Sequence, residues 1–220
     1  RYLPIGLVET GRGCRFHCEF CAVQSFYQQR YRRRDPDHVL RELAGLKGTK
    51  NLFFFVDDNF AGSLRESREF LPALANAGIR WVTQMSIDAA HDEEFVRALS
   101  QAGCRGVLIG FESLNEANLR QMKKGFNTMK GGYSQALANL RRHHIAVYGT
   151  FVFGYDHDTP DSFGEAVAYA REQSMYIAAF NHMTPFPGTP LYARLAQENR
   201  LRFEHWWLDD HYRYNELPFS

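Results

Sequence analysis

The run Asn51-Leu52-Phe53-Phe54-Phe55-Val56-Asp57-Asp58-Asn59 constrains the fold more than any other stretch of the chain. A continuous apolar segment ended abruptly by acids is what a strand buried on both faces of a parallel sheet looks like. An amphipathic helix follows from Leu64 to Ala77, stopped by Gly78, and the alternation repeats along the chain. Further strands are expected at Ile5 to Thr10, Ile79 to Ile87, Gly106 to Phe111, Ala146 to Phe153 and Tyr176 to Met183. Helices are expected at Asp37 to Leu46, opened by Asp35-Pro36 and closed by Gly48, and at Asp92 to Ala102, Tyr133 to His144 and Ser162 to Ser174. Six strands alternating with helices require a parallel sheet with right-handed crossovers. A closed ring needs about eight such units, so the expected fold is α/β: an open, partial (β/α)6 TIM-like barrel in a single domain.

Composition fits that reading. At 220 residues and 45% hydrophobic, the chain can bury one sizeable core. A formal charge of +1 gives no global attraction to nucleic acid or an anionic membrane. No apolar run approaches the roughly 18–20 residues of a spanning helix, and no signal segment is visible, so the expected location is cytoplasmic. The chain opens on Arg1 in mid-pattern and reads as a segment of a longer protein, with 191–220 as an extension along the barrel edge. Arg30, Arg32, Arg33 and Arg34, interleaved with Tyr31, could grip RNA phosphates, but such a run is more often a solvated face or pairs with nearby acids.

Chemistry concentrates in Gly11-Arg12-Gly13-Cys14-Arg15-Phe16-His17-Cys18-Glu19-Phe20-Cys21. Three of the four cysteines stand there at C-x3-C-x2-C spacing, a loop able to turn three thiolates toward soft iron or zinc. With three local ligands, a bound centre keeps one corner open for a substrate or cofactor. A zinc site would need a fourth ligand, a remote His or Cys104. Cysteines clustered in a chain of this size fit a reducing compartment better than a disulfide framework.

Cys14, Cys18 and Cys21, with aromatic Phe20 before the last, resemble the signature of the radical S-adenosylmethionine (radical SAM) superfamily. The resemblance covers nearly the whole chain and is closest to the branch often fused to a cobalamin-binding domain. It implies the barrel already expected, and a [4Fe–4S] cluster held by these three thiolates. The open iron would chelate S-adenosylmethionine, whose reductive cleavage gives a 5′-deoxyadenosyl radical. It also implies a small-molecule substrate, an electron donor such as flavodoxin or ferredoxin, and a cobalamin carried by a domain outside this sequence.

In parallel barrels ligands collect at the carboxyl ends of the strands. The cysteine loop follows the first strand, and polar residues end the others: Asp57, Asp58 and Asn59; Gln84 and Ser86; Glu112 and Ser113; Gly154 and Asp156; Asn181, His182 and Thr184. Asn59, Ser63 and Asp92 read as helix N-caps. Asp57 and Asp58 end a buried strand side by side, so a cationic partner is expected. By the resemblance, Asp57-Asp58-Asn59 stands where relatives contact the cofactor's amino group, although the family's glycines are missing. Glu112-Ser113 matches ribose and methionyl contacts, and Arg120 or Lys123 matches a cation near the cofactor carboxylate. Val152 to Gly154 keeps the core of an adenine-packing pattern in which Thr150 and His157 depart from the family, with Phe20 backbone alongside. The turn at Met183 to Pro190, which includes Thr184, is similar to that of the cobalamin-associated branch. Cys104, His143, His144, Trp206 and Trp207 read as structural.

The expected function is a radical SAM enzyme performing C–H abstraction, or methyl transfer or ring rearrangement linked to cobalamin. A tRNA methylthiotransferase core is the enzymatic rival, and a zinc-stabilised binding module the non-enzymatic one.

Overall fold

The computed structural model describes residues 4–128, 131–213 and 216–220. In chain order the elements are β1 (Ile5–Val8), β2 (Gly11–Gly13), α1 (Ala22–Tyr27), β3 (Tyr31–Arg33), α2 (Pro36–Leu46), β4 (Leu52–Phe55), α3 (Leu64–Ala77) and β5 (Trp81–Gln84). A 3-10 turn (Ile87–His91), α4 (Glu93–Gln101), β6 (Cys104–Glu112), α5 (Glu116–Gln121) and a second 3-10 turn (Gly125–Thr128) follow. The chain closes with α6 (Gly132–Arg142), β7 (Ala146–Phe153), α7 (Pro160–Glu172), β8 (Ile177–His182) and α8 (Pro190–Gln197).

Six strands form one sheet in the order β1-β4-β5-β6-β7-β8, with every neighbouring pair parallel. The outer strands β1 and β8 do not meet, so the barrel stays open as its six units require. Helices begin where short-range chemistry stops them fraying. Asp35, Ser63 and Asp92 accept from His38, Glu66 and Phe95 N–H at the starts of α2, α3 and α4. Gly78 ends α3 in the left-handed conformation (φ 60°), which costs glycine little.

Burial of the strands corrects one expectation. Phe53 and Phe55 are buried, whereas Leu52 and Phe54 are half-buried and Val56 is 41% exposed. The same alternation runs through β7, where Val147, Phe151 and Phe153 face the helices. Among the described residues one face of the sheet packs on helices, and the other lines the barrel interior. Phe55 stacks on Trp81 (centroids 4.8 Å apart) and Phe60 (6.2 Å) at the centre of the main core.

Three features escape the periodicity. The first strand leaves the sheet at Val8 rather than Thr10, because β2 and β3 form a separate antiparallel ribbon, Gly11–Gly13 against Tyr31–Arg33. Helices α1, α5 and α8 are short segments of 6, 6 and 8 residues whose apolar stripes are too brief to register. A second core, Leu119, Met122, Tyr155, Met183, Leu191, Leu195 and Phe219, gathers α5, α8 and the C-terminal residues under the carboxyl rim, with Phe20 packed against it. Trp206 lies over the turn after β8, donating from Nε1 to Pro185 O at 2.9 Å. Cys104 is buried, its thiol directed at Gly106 O. Truncating Phe55 to Ala is expected to cost about 3–5 kcal/mol of stability, measured as a lowered urea midpoint at unchanged m-value.

Candidate functional site

The cysteine loop runs from the ribbon into α1, and its backbone is held from several sides. Gly13 (φ 85°) passes so close to Arg30 O that a Cβ would sit 1.9 Å from it, so this entry to the loop admits only glycine. Cys21 N–H donates to Cys18 O at 3.1 Å and Glu19 N–H to Met122 O at 3.0 Å, while Leu191 N–H donates to Glu19 O at 2.9 Å. Phe16 stacks on Phe126 with centroids 3.8 Å apart, and Arg15 lies over Phe16 while pairing with Asp88. His17 is exposed.

Cys18 is buried, and Cys14 and Cys21 are partly so. Burial pushes the Cys18 thiol up to about 12 and raises Cys21, and the charge of Cys14 raises both further. Among the described residues no three His, Cys, Asp or Glu side chains close on one point as ligands of a single ion do. Thiolates around one zinc all stand about 2.3 Å from it, whereas a cube spreads its ligands over separate irons. Three thiols in one loop, with Cys14 acting on both of the others, are a soft donor set of the kind iron–sulfur clusters take. The positive charge of Lys124 lowers both Cys18 and Cys21.

The acids at the end of β4 brace this loop. Thr10 N–H donates to Asp57 Oδ1 at 2.6 Å and its hydroxyl to Oδ2, so the fully buried Asp57 fastens the ribbon to the sheet. Its expected cationic partner is replaced by these neutral donors, with Arg33 behind them. Arg33 donates to Thr10 Oγ1 (3.1 Å), Phe60 O (2.7 Å) and Ser67 Oγ (2.7 Å), and Arg34 to Glu9 O and Glu42. Two arginines of the basic run are thus built into the fold, while Arg30 and Arg32 stay exposed. Asp58 Oδ2 accepts from Gly13 N–H at 2.6 Å. Asn59 caps no helix, contrary to the sequence reading. Its Oδ1 accepts from Ala61 and Ser86 N–H, and its Nδ2 reaches Ser86 Oγ (3.1 Å) and Cys14 Sγ (3.4 Å), tying three strand ends together.

At the end of β6, Glu112 adopts a left-handed backbone (φ 63°) where the register with β7 shifts. Its Oε1 accepts from Lys124 Nζ at 2.6 Å, and Nζ also donates to Gly110 O at 2.9 Å. Both side chains are about nine-tenths buried. Arg120 and Lys123 are exposed, and the buried cation beside Glu112 is Lys124. A buried acid at a strand end was the available signal, and it applied to Glu112 more than to Asp57. Ser113 Oγ accepts from Asn115 N–H and Asn118 Nδ2 around the start of α5.

Further along the rim, Phe20, Val152, Met183, Thr184 and Phe186 line a recess of about 330 Å³. Gly154 (φ 115°) adjoins Met183 and gives its N–H to Asp158 Oδ2 at 2.8 Å. Gln84 is half-buried, its carbonyl accepting from Phe60 N–H. Phe20 and Thr184 therefore meet in one place. Asn59 joins Cys14, and Glu112 with Lys124 lies within electrostatic reach of Cys18. Arg120 joins neither group.

A three-cysteine loop at the carboxyl rim of an open parallel barrel defines a cluster-binding enzyme core. The chain belongs to the Radical SAM superfamily, which it matches over residues 8–170. Bacteriochlorophyllide d C-12(1)-methyltransferase of Chlorobaculum tepidum is 33% identical over 222 residues, 99% of this chain and 48% of that protein. Hopanoid C-2 methylase of Rhodopseudomonas palustris is 28% identical over 213 residues, 91% of this chain and 39% of that protein. The radical S-adenosylmethionine methyltransferase TsrM from Kitasatospora setae, solved with cobalamin and a [4Fe–4S] cluster, shares the fold at a TM-score of 0.76 and 23% identity, covering 88% of this chain and 39% of that chain. The chain thus spans about half the length of the curated relatives it matches. Methyltransferase and cyclase names among the relatives favour neither a tRNA methylthiotransferase nor a zinc module. No helix among the described residues is long and apolar enough to cross a membrane.

Burial raises Asp57 above 3.8, outweighing the hydrogen bonds from Thr10 and Gly11 and the charge of Arg33. A carboxyl raised on folding stabilises below its unfolded pKa and gives that up as pH climbs through the folded one. Wild-type stability is therefore expected to lose this contribution as pH rises from 3.8 through the raised value, and Asp57→Asn to remove that part of the slope. Urea titrations over a pH series compare the two slopes; equal slopes count against it.

Proposed function

We propose that the chain is the core of a radical SAM enzyme that cleaves S-adenosylmethionine reductively and, with cobalamin bound elsewhere in the full protein, methylates an apolar small molecule. The observation that carries the reading is the assembly of the three thiols, the Asn59 clasp and the Glu112–Lys124 pair on one rim. When bound, the cluster supplies the electron that splits the sulfonium into methionine and the 5′-deoxyadenosyl radical.

In this reading Cys14, Cys18 and Cys21 hold the cluster, and Asn59 Nδ2 orients Cys14. Lys124 Nζ, with a proton to spare beyond Glu112 and Gly110, meets the cofactor carboxylate, and Glu112 Oε2 meets its ribose. Asp58, half-buried and using one oxygen on Gly13, retains the other for the amino group. Asp57 acts behind it as a brace. Ser113 and Gln84 stand beside this group, and Arg120 at its periphery. Phe20, Gly154 and Thr184 border the recess that takes the adenine. The barrel interior, with Leu7, Phe54, Val82, Leu108 and Tyr148 along its strands, suits a substrate with a large apolar body. An electron donor of the flavodoxin or ferredoxin type supplies the reducing equivalent in the cell.

After anaerobic reconstitution with iron and sulfide, dithionite and S-adenosylmethionine are expected to yield 5′-deoxyadenosine or methionine. Cys14→Ala, Cys18→Ala and Cys21→Ala are each expected to lose the brown cluster and the product. Variants that keep a full cluster would refute the ligand assignment. Lys124→Met, made with Glu112→Gln so that no buried carboxylate is stranded, is expected to weaken S-adenosylmethionine binding roughly 10- to 100-fold. Calorimetry on the loaded protein measures it, and unchanged affinity would remove both residues from the cofactor site.

A further inference from the structure

Glu19 lies between Cys18 and Cys21, and its carboxylate is 5% exposed. Across 175 residues of sequence Arg194 of α8 meets it as a fork, Nη2 to Oε1 at 2.8 Å and Nε to Oε2 at 3.3 Å. The Glu19 backbone is taken as well, its N–H by Met122 O and its carbonyl by Leu191 N–H, the latter in the first turn of α8. No other side chain of the loop is both charged and buried. Arg194 is in turn 4.0 Å from Asp156, two residues after Gly154, and 3.4 Å from Glu198, while Arg200 pairs with both of those acids. Leu191 and Leu195 anchor α8 in the second core.

Within a poorly solvated interior a charge is felt by its neighbours far more strongly than in water. Glu19 and Arg194 cancel each other beside two cluster ligands, and net charge and burial are among the main levers on an iron–sulfur potential. We propose that Glu19 and Arg194 are a positioning pair, through which α8 fixes the turn between Cys18 and Cys21 and keeps its local charge neutral, so that the potential of the cluster depends on a helix that contributes no ligand to it. The proposal rests on the assignment of the three cysteines as cluster ligands.

The sign of the effect separates this role from simple structural support. A reduced cluster carries one more negative charge than an oxidised one. Arg194→Gln, which removes the cation paired with Glu19, is expected to lower the midpoint potential, and Glu19→Gln, which removes a negative charge from the loop, to raise it. The double variant is expected to return toward the wild-type value. Arg194→Lys, keeping the charge but losing the fork, is expected to hold the potential and to retain less iron per chain. The measurements are redox titration followed by electron paramagnetic resonance and iron analysis on anaerobically reconstituted protein, with circular dichroism of each unloaded variant to score folding.

Shifts of the same sign in both single variants, or none in variants that load iron fully, would overturn the proposal. Should a single variant fail to fold, the double variant and Arg194→Lys decide by the same two readouts. A wild-type protein that takes up no cluster would sink the ligand assignment itself, an outcome visible before any variant is made.

Discussion

A loop with three cysteines has almost no secondary structure of its own, so its backbone polar groups must find partners elsewhere. The strand ends and neighbouring turns provide them. Asp57 takes Thr10 N–H, Asp58 takes Gly13 N–H, Asn59 joins the cysteine loop to the ends of β4 and β5, and Met122 O takes Glu19 N–H. These groups converge because every strand of the sheet runs in one direction, which sets all the carboxyl ends on a single rim. The acids at that rim are structural before they are chemical, and the geometry presented to a cofactor follows from how they hold the loop.

Much of this was legible in the sequence, for identifiable reasons. Apolar runs in β4 and β6 and long amphipathic helices such as α3 carry a strong periodic signal, and Ser63 and Asp92 announce their helices. The cysteine spacing picked out the loop that the strand ends hold. The ribbon did not appear, because three-residue strands rich in arginine and glycine carry no alternation. Arg33 looked like surface and is instead surrounded by Tyr31, Phe60 and Phe70, within 5.7 Å of each ring centroid. Its burial depends on long-range partners that no local window contains.

The partner of a buried acid is equally hidden. Asp57 and Glu112 both end buried strands, and composition alone does not say that one is satisfied by a threonine and the other by a lysine. The answer lies in loop geometry: the turn after α5 carries Lys124 back to Gly110 and Glu112, while Arg120 remains on the outer side of its helix. The barrel interior gives a related lesson. Five apolar residues in a row read as buried on both sides, yet only one layer of helices exists to cover them, and the inner face remains for other matter.

The contacts between Glu19 and the start of α8 bear on the order in which the protein matures. Glu19 leaves the ribosome 175 residues ahead of Arg194, and Leu191 and Arg194 emerge when the six strands of the barrel have already been made. Until then the carbonyl and carboxylate of Glu19 lack those partners, and the turn between the last two cysteines is incomplete. The turn between the last two cysteines is therefore completed only once α8 has been made, 175 residues further along the chain.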